Sequence, residues 1–483
     1  MERRDLIKKG AAAAAGLYLG NMINHAKFIA PFKIDPIGIS SVPVINPVVE
    51  AEELVYRYQP ANNGAGPLWC KGSSCIVRIG SKVFASGLET IPEWVPLSNC
   101  RWLLFERTSE GWKQQIADEG RTREPAPLVA FQDGSIFLSS NPSMAGINDY
   151  SGPARPEILL FKNGDVQKSP ELLHPGWAGN PGFTEHSYRS FAADGAHGEL
   201  ILFQNVGDSH SEWAFRDDMR NWSAQGRLEW PWGADYEEPK PIRVCYPNVM
   251  IRDRRVYFFG VSDIIEPKKE WKEYKKQITG REWDYDFRRL FITWSDDISS
   301  GKFHPWVEIA SREETCGWID PCDLWIGTGG NVHLLWNERA IDERLREKFF
   351  PQAKQSHALN YAIFRKGKVR LRRTLVLSEE GKSNETPGSA RFHVTPDNRL
   401  LVIYCLNRQN SQGQNITENR LMEITSKGPA GTSVLIPFNN PFTQFFTATV
   451  RGGSAPSNII DMLGTITGQR NTISYARVRL LFK

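Results

Sequence analysis

Residues 69–87 read WCKGSSCIVRIGSKVFASG: a polar lead, a short strand, a turn and a second, strongly apolar strand. The same phrase returns as REPAPLVAFQDGSIFLSS from Arg123, EHSYRSFAADGAHGELILFQ from Glu185 and VCYPNVMIRDRRVYFFG from Val244. It returns three times more, as CGWIDPCDLWIGTGGNVHLLW from Cys316, GSARFHVTPDNRLLVIYC from Gly388 and FFTATVRGGSAPSNIIDMLG from Phe445. Seven units spaced roughly 50 to 75 residues apart are the signature of a repeat architecture. Gln132-Asp133-Gly134 and Pro396-Asp397-Asn398 supply the positive-φ residues that a tight hairpin needs between alternating strands. Each hairpin is followed by room for two outer strands. Radial repetition of such four-stranded sheets protects their edges, so the expected fold is all-β: a seven-bladed β-propeller with two short helical insertions on its top face.

Composition agrees, because 16 Trp, 25 Phe, 40 Gly and 30 Pro favour short strands punctuated by turns. The last unit has too few strands after its first hairpin, while Glu53–Tyr58 forms a spare strand ahead of the first unit. An N-terminal strand is therefore expected to close the ring. The two helical insertions are the charged stretches from Glu266 and from Glu338, both between the second and third strands of their blades.

The N-terminus carries Arg3-Arg4 before a short run rich in Ala and Gly, which resembles a twin-arginine export signal. The expected organisation is a signal segment at 1–35, an arm with the ring-closing strand at 36–68 and the propeller at 69–483. Periplasmic or secreted location follows from that reading. No later stretch approaches about 18 apolar residues, so no membrane span is expected once the signal is removed. The chain is expected to act as a monomer.

A net charge of +4 over 483 residues leaves no clustered basic footprint for nucleic acid. Seven cysteines without regular spacing make no disulfide framework, and neither C-x-x-C nor a Cys/His zinc pattern occurs. No cofactor and no catalytic metal are expected. Cys70 and Cys75 are read as lying on opposite faces of one strand.

The loop between the second and third strands of a blade emerges on the same face as the entry to its innermost strand. Insertions and entries thus share one rim, where functional residues sit over a rigid scaffold. The densest polar entry is Glu185-His186-Ser187-Tyr188-Arg189, in which alternation puts His186 and Tyr188 together. Matching positions elsewhere hold Trp69 and Lys71, Arg123 and Glu124, Arg243 and Tyr246, Asp320 and Asp323, and Arg391 with His393. Guanidinium groups are natural forks for carboxylates, so this convergence points to an anionic group on the ligand, such as a uronate; the expected partner is an acidic oligo- or polysaccharide.

The phrases WCKGSSC, TREPAPL, FTEHSYRSF and GREWDYDFRRLF resemble those of exported BNR-repeat propeller proteins of the sialidase-like kind. Arg216–Trp222 and Ser295-Asp296-Asp297, with Gly301 and Trp306, look like degenerate Asp boxes. A more distant resemblance is to the ulvan lyases and rhamnosyl-glucuronate-cleaving propellers. It implies that His186 and Tyr246, with Tyr188 beside them, are catalytic. The arginine these enzymes carry sixteen residues after the Tyr is here Ser262, so Arg189 or Arg243 must stand in. Arg123, Arg391, His393, Lys71, Trp69, Asp320 and Asp323 complete the expected binding set. Two other readings remain open: a glycoside hydrolase or sialidase using carboxylates among Glu124, Glu185, Asp320 and Asp323, and a noncatalytic sugar-binding ring using Trp69, Trp318 and Trp325.

Overall fold

Turn chemistry sets the pairing of each inner hairpin. Gly134 at φ 96° joins Leu128–Ala130 to Ile136–Ser140, and Asn398 at φ 62° joins Thr386–Val394 to Leu400–Gln409. In the computed structural model, which describes residues 45–482 apart from 383, 384, 411, 426, 427, 430 and 431, seven such hairpins are extended by outer strands into seven blades. Blade three is representative: Ser190–Asp194, Glu199–Val206, His210–Arg216 and Trp222–Glu229 pair antiparallel in chain order. Blade six has its outer edge in two pieces, Gly428–Pro429 and Val434–Ile436. The expected signal segment, 1–35, lies outside the described residues. Among the described residues no helix is long and apolar enough to cross a membrane.

Blade seven is built from both ends of the fold. Ile45–Arg57 pairs antiparallel with Thr472–Phe482, from Ile45 against Phe482 to Arg57 against Thr472. It is the outermost strand of a sheet whose other members are Phe442–Thr447 and Ile459–Ile466.

The core is a ring of apolar layers between blades. Phe203 packs with Val249 and Phe258 between blades three and four, and Trp336 with Phe392 between five and six. The seam between seven and one is filled by Tyr56, Leu463 and Tyr475 against Ile76, Ala85 and Phe105. Burying each such side chain stabilises by about 1.5–3 kcal/mol, so every blade depends on both neighbours. Near the axis the ties are polar. Arg451, from blade seven, donates to Asp323 of blade five at 2.7 Å, to Asn248 of blade four at 3.1 Å and to the Gly72 carbonyl of blade one.

Both insertions form helices on the rim. Helix α1, Lys269–Thr279, leaves blade four and ends on Gly280 at φ 68°, while α2, Glu343–Phe349, leaves blade five under an Asp342 cap that accepts the Arg344 N–H at 3.1 Å. Trp271 of α1 packs edge-on against Phe349 and Phe350.

Cys70 and Cys75 are not on opposite faces of a strand: Cys70 lies in a turn and Cys75 directly precedes Ile76–Ile79, the strand starting only where the chain leaves the rim. All seven cysteines are buried and unpaired.

Candidate functional site

The entry loop of blade one reaches across the top of the ring. It does so because Gly72 has no side chain: a Cβ there would stand 1.8 Å from the Pro247 carbonyl oxygen of blade four. That approach places Trp69 and Lys71 over the entries of blades three and four. The Trp69 indole lies 5.4 Å from the His186 ring, 4.7 Å from Tyr188 and 5.6 Å from Tyr246. His186 and Tyr188 are 4.5 Å apart and Tyr188 and Tyr246 5.3 Å.

Two of these four residues hold left-handed backbone, Tyr188 at φ 43° and Tyr246 at φ 50°. For bulky residues this costs on the order of 1–3 kcal/mol each and persists where the surroundings over-determine it. Tyr246 sits in a bulge, the register slipping between Cys245 and Asn248. The expected alternation of His186 and Tyr188 along a strand does not occur, since the blade-three strand begins only at Ser190. The two rings meet because the chain turns at Tyr188.

Cations surround the cluster. Lys71 Nζ stands 5.7 Å from the Tyr246 ring and bonds Asp320 at 3.0 Å. Arg123 lies 6.0 Å from Trp69, its Nε and Nη2 donating to the Asn63 carbonyl and its Nη1 left without a partner among the described residues. Arg243 lies 5.4 Å from Tyr188, but its charge is engaged by Asp208 and by Asp263 at 3.2 Å. Burial, with the fields of Arg123 and Arg243, pushes His186 down to about 3, so the imidazole is neutral. Its buried Nε2 has no hydrogen-bond partner among the described residues. Burial pushes the phenols of Tyr188 and Tyr246 up, and both stay protonated.

Other expected contacts are taken by the scaffold. Arg189 is buried and donates to the carbonyls of Ser139 at 3.0 Å and Pro125 at 2.8 Å, so it cannot stand in for the missing arginine. His393 is bonded to the Ser457 carbonyl at 2.6 Å, and Asp323 accepts from Arg451 and from the Phe392 N–H at 2.9 Å. Arg391 underlies the rim, donating to the carbonyls of Lys71 at 3.0 Å and of Cys322. Of the four carboxylates considered for hydrolysis, Glu124 is bound by the Ser187 N–H and hydroxyl at 2.7 and 2.5 Å, and Glu185 by the Gly152 N–H at 3.1 Å. Asp320 lines a cavity.

That cavity, of about 370 Å³, opens beside Lys71 and is lined by Trp318, Asp320, Asn337, Arg339, His357 and Gln444 among others. A second, of about 250 Å³, lies against the insertions and shares Trp318 and Arg339 with it. Sequence reading left Arg339 and His357 aside. The available signal was register: Arg339 pairs with Trp318 on one side and with His357 on the other. Among the described residues, the cluster with metal-ligand spacing is Asp194, His197 and Asp253, whose ligand atoms lie within 4.8 Å of one another. It occupies hairpin turns at the opposite end of the blades, where His197 is already bonded to Asp194 at 2.9 Å.

No protein-family model and no curated protein matches the chain, so the BNR-repeat resemblance finds no support there. Among solved structures it is similar to an ulvan lyase from a family of polysaccharide lyases, with a TM-score of 0.51 and 10% identity over 89% of this chain and 95% of that one. The likeness is one of fold. Further similar structures are an α-L-arabinofuranosidase of Fusarium graminearum (TM-score 0.42, 9% identity, 89% of this chain and 98% of that one) and Trypanosoma rangeli sialidase (0.35, 10%, 72% and 53%).

Proposed function

We propose that this propeller is a carbohydrate-active enzyme that cleaves a uronate-containing glycan by β-elimination at the His186–Tyr246 cluster. The observation carrying this reading is the pairing of a neutral imidazole whose buried Nε2 lacks a partner with protonated phenols around one indole, inside a ring of cations. These are the protonation states elimination requires. A sugar carboxylate held by the free edge of Arg123 and by Lys71 would have the charge developing on it neutralised, which makes the proton on the adjacent ring carbon removable. His186 takes that proton. The electron pair forms the ring double bond, the bond to the glycosidic oxygen breaks, and the Tyr246 hydroxyl gives its proton to the departing oxygen. Substrate binding favours the base as well: a carboxylate opposing Arg123 and Arg243 relieves the part of the lowering of His186 that their fields add to burial.

The placement of Glu124, Glu185 and Asp323 within the scaffold weighs against a two-carboxylate hydrolase, which needs a pair facing one bond. An ulvan lyase is among the structures of similar fold, which agrees with the reading without carrying it. We further propose export by the twin-arginine route. The test is a screen of uronate glycans read by the ultraviolet absorbance of an unsaturated product. Absorbance that appears with wild type and vanishes in His186→Ala and Tyr246→Phe is the expected result. Binding of a uronate glycan without any cleavage would instead make the ring a sugar-binding module stacking sugars on Trp69 and Trp318.

A further inference from the structure

Arg339 differs from every other cation bordering the two top-face cavities. Lys71 is paired with Asp320, Lys275 with Glu266, Arg288 with Glu266 and Asp286, and Arg344 with Asp342 and Asp284. Arg391 is bound by backbone carbonyls. Arg339 has no ion pair and no side-chain hydrogen bond among the described residues, and its Nε is buried without a partner. It stands where the two cavities meet.

Its neighbours are suited to a charged sugar. Trp318, its register partner, lines both cavities and carries Lys71 Nζ 5.5 Å from its ring, so the indole is the next surface along from Tyr246. On the other side, burial and the Arg339 charge lower His357, which favours a neutral ring that adds no second positive charge and can share a hydrogen bond with a ligand. Asn337 contributes a buried Oδ1 that also lacks a partner. A guanidinium whose Nε is buried without a partner is left short of a hydrogen bond, and one that borders open cavities is satisfied when a ligand brings an anion.

We propose that Arg339, with Trp318 and His357, forms a second anion subsite that receives an oxyanion carried on a sugar ring, a carboxylate or a sulfate ester, at a position in the glycan beyond the one cleaved. The placement of that sugar relative to the reacting one rests on the β-elimination reading; the anion site itself does not. Lys71 lies between the Tyr246 and Trp318 rings, giving one continuous surface from reaction centre to subsite.

The experiment compares wild type with Arg339→Gln and Arg339→Lys in two arms. In the first, sodium sulfate is titrated at ionic strength fixed with sodium chloride, and the melting temperature is followed. Sulfate-specific stabilisation in wild type, lost in Arg339→Gln and partly kept in Arg339→Lys, is expected, since a ligand bound only to the native state raises its stability. An equal response in all three proteins overturns the subsite, whatever the enzyme's activity. In the second arm, binding is measured by calorimetry with a glucuronate–rhamnose tetrasaccharide sulfated on rhamnose, its desulfated form, and its desulfated, carboxyl-reduced form. A sulfate-reading subsite makes Arg339→Gln lose roughly tenfold or more on the sulfated probe alone. One reading carboxylate loses that much on the sulfated and desulfated probes and nothing on the reduced one. If wild type cleaves these probes and Arg339→Gln binds all three as wild type does, the subsite falls while the lyase stands. If sulfate stabilises through Arg339 but no uronate probe is cleaved, the lyase reading fails alone.

Discussion

His186 is where sequence and physics meet most closely. A polar Glu-His-Ser-Tyr-Arg run at the mouth of an otherwise apolar unit was visible without coordinates, and the structure brings His186, Tyr188, Tyr246, Trp69, Lys71 and Arg123 to one place. What alternation could not reveal was the turn at Tyr188, whose φ of 43° breaks the strand period. Nor could it separate Arg123, with one free edge, from Arg189, whose donors meet carbonyls of the neighbouring blade that only the closed ring brings near. The proposed roles predict that His186→Ala or Tyr246→Phe lowers kcat by roughly 10² to 10⁴ while melting temperature and glycan binding change little. Because burial and the two arginines hold His186 down to about 3, its neutral form prevails in the free enzyme well below the usual histidine range. The acid limb of kcat/KM should therefore fall far below pH 6.5, with activity retained at pH 5. The same sign governs stability: the unfolded chain binds the proton first, so stability declines as pH falls from about 6.5 towards 3. An NMR titration showing His186 protonating near pH 6.5 would remove the electrostatic argument.

At the scale of elements, the inserted helices were legible as charged interruptions of a strand pattern, but what seats them was not. Glu266 is buried between Arg288, bonded through both oxygens at 2.7 and 2.8 Å, and Lys275 of α1 at 2.8 Å. These partners stand 9 and 22 residues from Glu266 and resemble ordinary surface charges when read singly. Burial alone would raise the Glu266 carboxyl, but the two cations outweigh it and hold it down to about 2. Its stabilisation is thus complete above the ordinary glutamate range and lost as pH falls towards 2. Glu266→Gln takes from two buried cations the counter-ion they share, leaving Arg288 with Asp286 and Glu313 and Lys275 with Asp284, and about 1.5–3 kcal/mol of destabilisation is expected, felt first where α1 rests on blade four. Hydrogen exchange should show faster exchange in residues 269–279 than in the blade-four strands. Uniform protection in the variant would mean that the Trp271–Phe350 contact, at 5.5 Å, seats the helix instead.

For the whole molecule, seven repeated openings made the ring readable because each unit repeats the same turn chemistry. Closure was readable only in outline. The spare strand expected near Glu53–Tyr58 is in fact Ile45–Arg57, longer because its two ends pack on different blades. Ile45 joins the layer between blades six and seven, and Tyr56 stacks 5.1 Å from Phe105 of blade one while its hydroxyl accepts the Leu88 N–H at 3.1 Å. The strand therefore seals blade seven and fastens it to blade one. Removing residues 45–57 would strip Thr472–Phe482 of its partner, expose a long edge and empty the seam that Tyr56 fills. Since every blade depends on both neighbours, the loss should spread around the ring, lowering the urea midpoint of the whole transition. Tyr56→Ala isolates the seam and should cost about 3–5 kcal/mol, as other large-to-small aromatic changes in cores do. A synthetic peptide of residues 45–57 should restore part of the midpoint, because an open edge binds a matching strand through backbone hydrogen bonds and alternate side-chain pockets. A truncated protein that unfolds at the wild-type urea concentration would show that six blades and three strands are enough, and that closure is not what holds this propeller together.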